Sequence, residues 1–138
     1  MAYSNLFVDS DIILDLFLQR EPYSKFTQIL LAQSKIDGFI LNTSTLIIAN
    51  LNYVLTGRVG KLKVKESIMI ISEEMNVLPF EKDIITLAIN SSFTDFEDSL
   101  QHFIAQKYHC DLIITRNTKD YKHSAIPILT AEQFLQTL

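Results

Sequence analysis

The sequence predicts an α/β fold, a three-layer α/β/α sandwich around a central, mostly parallel sheet of about five short strands. Three observations predict it. Short apolar runs alternate along the chain with longer stretches of helical periodicity. Those short runs are continuously apolar, as strands covered on both faces must be, instead of alternating with polar residues. The strands are short and the crossovers between them long, which favours right-handed βαβ connections.

The elements follow in order. Leu6-Phe7-Val8 forms the first strand and ends at Asp9. Ile12, Ile13, Leu16 and Phe17 have helical spacing, and a second helix is expected from about Pro22 to Ile36, since proline suits a first turn. Gly38 punctuates before a second strand, Phe39-Ile40-Leu41. Thr43 or Ser44 can cap the next helix, which carries Leu46, Ile47, Leu51, Val54 and Leu55. Gly57 and Gly60 are expected to break the chain before a helix from about Leu62 to Met75. Val77-Leu78 reads as a third strand, followed by a helix from about Lys82 to Asn90 and a polar loop. Phe96 to Tyr108 reads as a helix leading into the strand Leu112-Ile113-Ile114. Ile126 to Leu129 is expected at the sheet edge because Pro127 cannot donate to a ladder. Thr130 caps a last helix through Phe134 and Leu138.

The bulk numbers set limits. The length favours one domain over residues 1–138. A net charge of −4 argues against coating nucleic acid through overall positive charge. Cys110 is the only cysteine, so no intrachain disulfide forms, and no apolar run approaches the ~18 residues of a membrane span. The N-terminus lacks the basic and apolar regions of a signal peptide, and a cytoplasmic protein without membrane partners is expected.

Function is expected where ligands bind in open α/β sheets, beyond the carboxyl ends of the strands. Asp9 stands at the end of the first strand, and Asn117 and Asp120 lie just beyond Thr115, which ends the fourth. Asp98 opens the helix that feeds that strand, so its first turn falls at the same rim. Carboxylates that converge repel one another unless a hard dication lies between them, and oxygen ligands suit Mg²⁺ or Mn²⁺. Such an ion binds phosphate oxygen and acidifies a bound water, which makes a phosphodiester the natural substrate. For Asp9 and Asp98 the alternative is a helix cap or dipole partner, and Asn117 competes with Asp120 for one role. Asp15 reads as a solvated surface residue. Arg116, Lys119, Lys122 and His123 give the rim local positive charge, while Arg58, Lys61, Lys63 and Lys65 read as a solvated face. His102 and His109 show no zinc-site partners and read as surface or core-edge residues.

These stretches together resemble the PIN-domain family across nearly the whole chain. Val8-Asp9-Ser10-Asp11 followed by Ile12-Ile13-Leu14 resembles its opening, usually Asp-Thr-Asn before apolar residues. Phe96-Glu97-Asp98-Ser99-Leu100 resembles its third acidic motif, and Thr115-Arg116-Asn117-Thr118-Lys119-Asp120-Tyr121 its fourth, which often ends in an Asp-Phe pair. Ile126-Pro127-Ile128-Leu129-Thr130 resembles its ending. The resemblance implies a Mg²⁺- or Mn²⁺-dependent ribonuclease similar to the VapC toxins, with an RNA substrate, a small antitoxin partner and a homodimeric state. It implies Asp9, Asp98 and Asp120 (or Asn117) as metal-holding and catalytic residues, with Asp11, Asn50, Glu97 and Thr115 in lesser roles and Arg116 and Lys119 on the nucleic acid. Two positions depart from the pattern. The second acid of the family falls at Asn50, and the usual Asn of the first motif is Asp11. A rival of another class is a PIN-like module that binds RNA or protein without cutting. Asp9-Ser10-Asp11 also fits the opening of haloacid-dehalogenase-like enzymes, but the following Gly-Thr and late lysine of those enzymes are missing.

Overall fold

Strand β1 (Asn5–Val8) runs through the middle of the molecule, and its Leu6, Phe7 and Val8 have no exposed surface. It pairs in parallel with β2 (Ile40–Ser44) on one side and β4 (Leu112–Ile114) on the other. Beyond β2 lies β3 (Asn76–Leu78), and beyond β4 lies β5 (Ile128–Leu129), again parallel. The order is therefore β3-β2-β1-β4-β5 in this computed structural model, which describes residues 2–138. The expected domain begins at Met1, which lies outside the described residues.

The connections explain the layers. From β1 the chain steps one way to β2 and β3, through α1 (Ser10–Phe17), α2 (Tyr23–Asp37), α3 (Thr45–Val59) and α4 (Lys61–Glu74). It then steps back past β1 to β4, through α5 (Lys82–Ile89) and α6 (Phe96–Lys107). Right-handed crossovers in opposite directions put the two helix sets on opposite faces of the sheet. α7 (Ala131–Leu135) follows β5 and packs on α2. The reversal of direction falls between β1 and β4, so a crevice opens at the carboxyl ends of those two strands.

Several boundaries differ from expectation for local reasons. β2 continues through Asn42, Thr43 and Ser44, which are buried although polar. Asn42 Nδ2 donates to Asn5 Oδ1 at 2.6 Å and to the Leu6 carbonyl at 2.9 Å, and Ser44 caps α3 by accepting from the Ile47 amide. Asn42 and Ser44 are tolerated in a buried strand because their side chains are bonded in this way, whereas Thr43 Oγ1 is buried without a partner. Gly57 stays inside α3, where a glycine costs only about 1 kcal/mol, and the break comes at Gly60, whose φ of 85° suits a residue without Cβ. β5 shrinks to two residues because Pro127 offers only its carbonyl, which accepts from Ile113. The last helix stops at Leu135 after a capping box between Thr130 and Gln133. No helix among the described residues is long and apolar enough to cross a membrane.

Candidate metal centre

Asp9 is the first residue past β1, and its extended backbone makes it the N-cap of α1. Its Oδ1 accepts from the Ser10 amide at 2.8 Å, while Oδ2 accepts from Thr115 Oγ1 at 2.9 Å and from Tyr121 Oη at 3.1 Å. The side chain is therefore held from both strands that flank the crevice. Only 4% of Asp9 is exposed, and burial, reinforced by the nearby charge of Asp11, pushes its carboxyl up to about 7. Capping and site-building are not alternatives at this residue. The same carboxylate serves both.

Asp11 comes from the first turn of α1 and reaches the other strand end. Its Oδ2 accepts from the Arg116 amide at 2.9 Å and lies 3.4 Å from Thr115 Oγ1, while its Oδ1 is buried with no partner. Burial raises its carboxyl as well. An acceptor-only oxygen left bare in the interior is a place where a cation can sit at a profit in free energy.

Asp98 enters from α6, whose N-cap is Asp95: the Asp95 carboxylate accepts from the Asp98 amide at 2.9 Å. Asp98 is half-buried, and its carboxyl is pushed up to about 7 by burial first, then by the charges of Asp9, Asp95, Asp120 and Glu97. Asp98 therefore lies close enough to Asp9 and Asp120 to feel their charges, although the three are 22 to 111 residues apart in the chain. Asp120 is exposed on a 3₁₀ turn, Thr118–Tyr121, that the Asn117 carbonyl holds by accepting from the Asp120 amide. Asn117 is exposed and contributes through its backbone, donating its amide to Thr115 Oγ1 at 3.1 Å. Asn50, on α3, donates Nδ2 to Glu97 Oε1 at 2.6 Å. As they stand, no three His, Cys, Asp or Glu side chains among the described residues close into a ready-made ion cage. The donor set is nonetheless all oxygen, under mutual repulsion, and one of its buried oxygens is bare. That fits a hard dication that would draw the carboxylates inward.

Some expectations need correction. Asp15 is not solvated but has no exposed surface. Arg116 grips it with Nε and Nη2, each at 2.8 Å, and Arg20 Nε adds a third contact at 3.1 Å. The Arg116 guanidinium also lies 4.1 Å over the Tyr23 ring, so this side chain is a strut between α1 and the loop after β4. Lys119 and Lys122 remain exposed beside the rim. His102 is buried and not at the surface, with Nε2 accepting from the Ala125 amide, whereas His109 lies beyond the end of α6 with a φ of 61°. Sequence reasoning missed the Tyr121 hydroxyl and its bond to Asp9. The available signal was Asp120-Tyr121 where the resembling motif usually has Asp-Phe.

Comparisons with known proteins agree with this architecture. A family model described as PIN domain matches residues 5–119. The chain is 32% identical over 145 residues to ribonuclease VapC1 of Aquifex aeolicus (strain VF5), covering 99% of this chain and 96% of that protein. Its fold is similar to a chain in the structure of VapBC2 from Rickettsia felis bound to a DNA fragment from their promoter, with a TM-score of 0.70 and 12% identity over 91% of this chain and 98% of that one. It is also similar to Mycobacterium tuberculosis VapC20, a sarcin-ricin loop cleaving toxin, with a TM-score of 0.64 and 16% identity over 78% and 86% of the two chains.

Proposed function

This chain belongs to the PIN-domain family, and from that membership we propose that it is a metal-dependent endoribonuclease, the toxin of a toxin–antitoxin pair, folded as one domain. The observation that carries the reading is the pair of carboxylates at the end of β1, Asp9 held by Thr115 and Tyr121 from the β4 side, and Asp11 with a buried oxygen that has no partner. Asp9, Asp98 and Asp120 would hold Mg²⁺ or Mn²⁺, with Asp11 behind them. When bound, the ion supplies a Lewis acid for a phosphate oxygen and a water acidified toward neutrality. The chain's own residues do the rest. Thr115 and Tyr121 fix the Asp9 carboxylate by donating to Oδ2, and the Arg116 amide fixes Asp11. Lys119, exposed on the turn after β4, would meet the RNA backbone, where a point charge aids register without reading sequence. The 32% identity to a named ribonuclease over nearly the full chain supports RNA as substrate, and the toxin–antitoxin complexes among the structural neighbours suggest a small antitoxin partner.

The test is RNA cleavage with and without Mn²⁺, repeated on Asp9→Asn. Cleavage that needs the ion and is lost in the variant is expected, and equal activity in both proteins defeats the proposal. A module that binds without cutting is favoured by one observation, the uncharged Asn50 where the family pattern has an acid. Tight RNA binding in the absence of metal, with no cleavage on adding it, would select that reading.

A further inference from the structure

The uncharged Asn50 has a neighbour that changes its meaning. Its amide donates to Glu97 Oε1 at 2.6 Å, across the gap between α3 and α6. Both residues line one groove of about 260 Å³ together with Ser10, Leu14, Leu51 and Tyr53. Ser10 is the residue next to Asp9, and Glu97 is the residue next to Asp98. Resting on the proposed nuclease site, we infer that Glu97 supplies the fourth carboxylate of the cation site and that Asn50 is its positioning residue. The acid that the family pattern carries on α3 is in this chain delivered from α6, and α3 keeps only the donor that aims it.

The chemistry is consistent at each end of the pair. A carboxamide offers two N–H donors, so a side chain that no longer supplies charge can still grip one carboxylate oxygen. That grip takes Oε1 and leaves Oε2 without a protein donor among the described residues. An acid at position 50 would instead repel Glu97, so the Asn and the Glu make sense as a pair and not as independent residues. An exchange of acid between α3 and α6 keeps the charge number around the cation, and charge number is a main determinant of affinity at oxygen sites.

The experiment is Mn²⁺ titration by calorimetry on the full chain, with circular dichroism as a check on folding. Glu97 is exposed, so Glu97→Gln leaves the fold intact. Glu97→Gln is expected to weaken Mn²⁺ binding roughly tenfold, the low end of the ~10–100-fold range for groups that orient or complete a metal site, and Asn50→Ala to weaken it less, by releasing Glu97 without removing its charge. The double variant Asn50→Glu with Glu97→Gln returns the acid to α3 and should bind within about threefold of the original chain, a difference of under 1 kcal/mol. Unchanged binding in Glu97→Gln, or a double variant as weak as Glu97→Gln, overturns the inference. Asp9→Asn separates the two levels. If Asp9→Asn weakens binding and Glu97→Gln does not, only the role of Glu97 falls. If neither matters, the metal site itself falls and this inference with it.

Discussion

Tyr121 donates its hydroxyl to Asp9 Oδ2 at 3.1 Å, so a residue of the turn after β4 holds the carboxylate at the end of β1. The phenol stays protonated because burial and the surrounding acids push its ionisation upward, which keeps it a donor. Tyr121→Phe preserves the ring and its edge contact with Phe93 but removes the donor. We expect a stability loss of about 1 kcal/mol, the usual worth of one hydrogen bond, and a roughly tenfold change in Mn²⁺ affinity. Urea denaturation and calorimetry measure the two separately.

Asp15 is a buried charge and depends on its arginines. Arg116→Ala removes two of the three contacts and leaves Arg20, which is 41% exposed, as sole counter-ion. A loss of about 3 kcal/mol is expected, the low end of the range for breaking a buried pair. Arg20→Ala should cost about 1 kcal/mol or less, as exposed pairs do. A shift of the urea midpoint that is equal in both variants would contradict this division.

Lys119→Ala makes the opposite forecast. The side chain is exposed, so stability should stay within about 0.5 kcal/mol. RNA binding should weaken for all sequences alike, and the slope of log affinity against log salt should fall by about 0.7, as for one lost phosphate contact on a single strand. Fluorescence anisotropy across a salt series reads both.

His102 gives a pH signature. It lies between Phe93 and Phe103, at ring distances of 4.9 and 4.7 Å, and burial lowers its ionisation from 6.5 to about 4. The unfolded chain therefore binds a proton more readily than the folded one. The resulting stability is fully present above pH 6.5 and is lost as pH falls toward 4. Between pH 7 and pH 5 the loss amounts to about 2 kcal/mol. His102→Gln keeps an acceptor for the Ala125 amide but cannot titrate, so its stability should fall less than the original chain's over that interval by this amount.

Asp9 and Asp98 work with the opposite sign. Their folded values, about 7, stand above the usual 3.8, so protonation favours the folded state below about pH 4 and that gain disappears as pH rises through 7. Without metal the acids strain the crevice most in mild alkali. The rise in Tm on adding Mn²⁺ should accordingly be larger at pH 8 than at pH 6, and Asp9→Asn should flatten the difference. Thermal scans in chelator and in Mn²⁺ give the comparison.

The sheet was legible because its strands are written as apolar runs. Leu6-Phe7-Val8 and Leu112-Ile113-Ile114 sit where their composition puts them. β2 was clipped because Asn42, Thr43 and Ser44 look like a loop until their side-chain partners are known. Asp9 just past β1 and Asp98 in the first turn of α6 followed from strand ends and helix starts, which sequence marks well. Asp15 was misread because an acid at helical spacing looks solvated, and only the fold brings Arg116 to it from 101 residues away. The pairing of Asn50 with Glu97 was equally invisible, since it joins helices that contact through the tertiary packing alone.

The two outermost strands are β3, with three residues, and β5, with two. A sheet grows by lending its unpaired amides and carbonyls to a newcomer, and here each border offers barely one repeat of the ladder. Copies crowded together, as during strong expression, find little template for stacking into fibres. Edge-to-edge pairing of sheets is therefore a poor route by which copies of this chain could join.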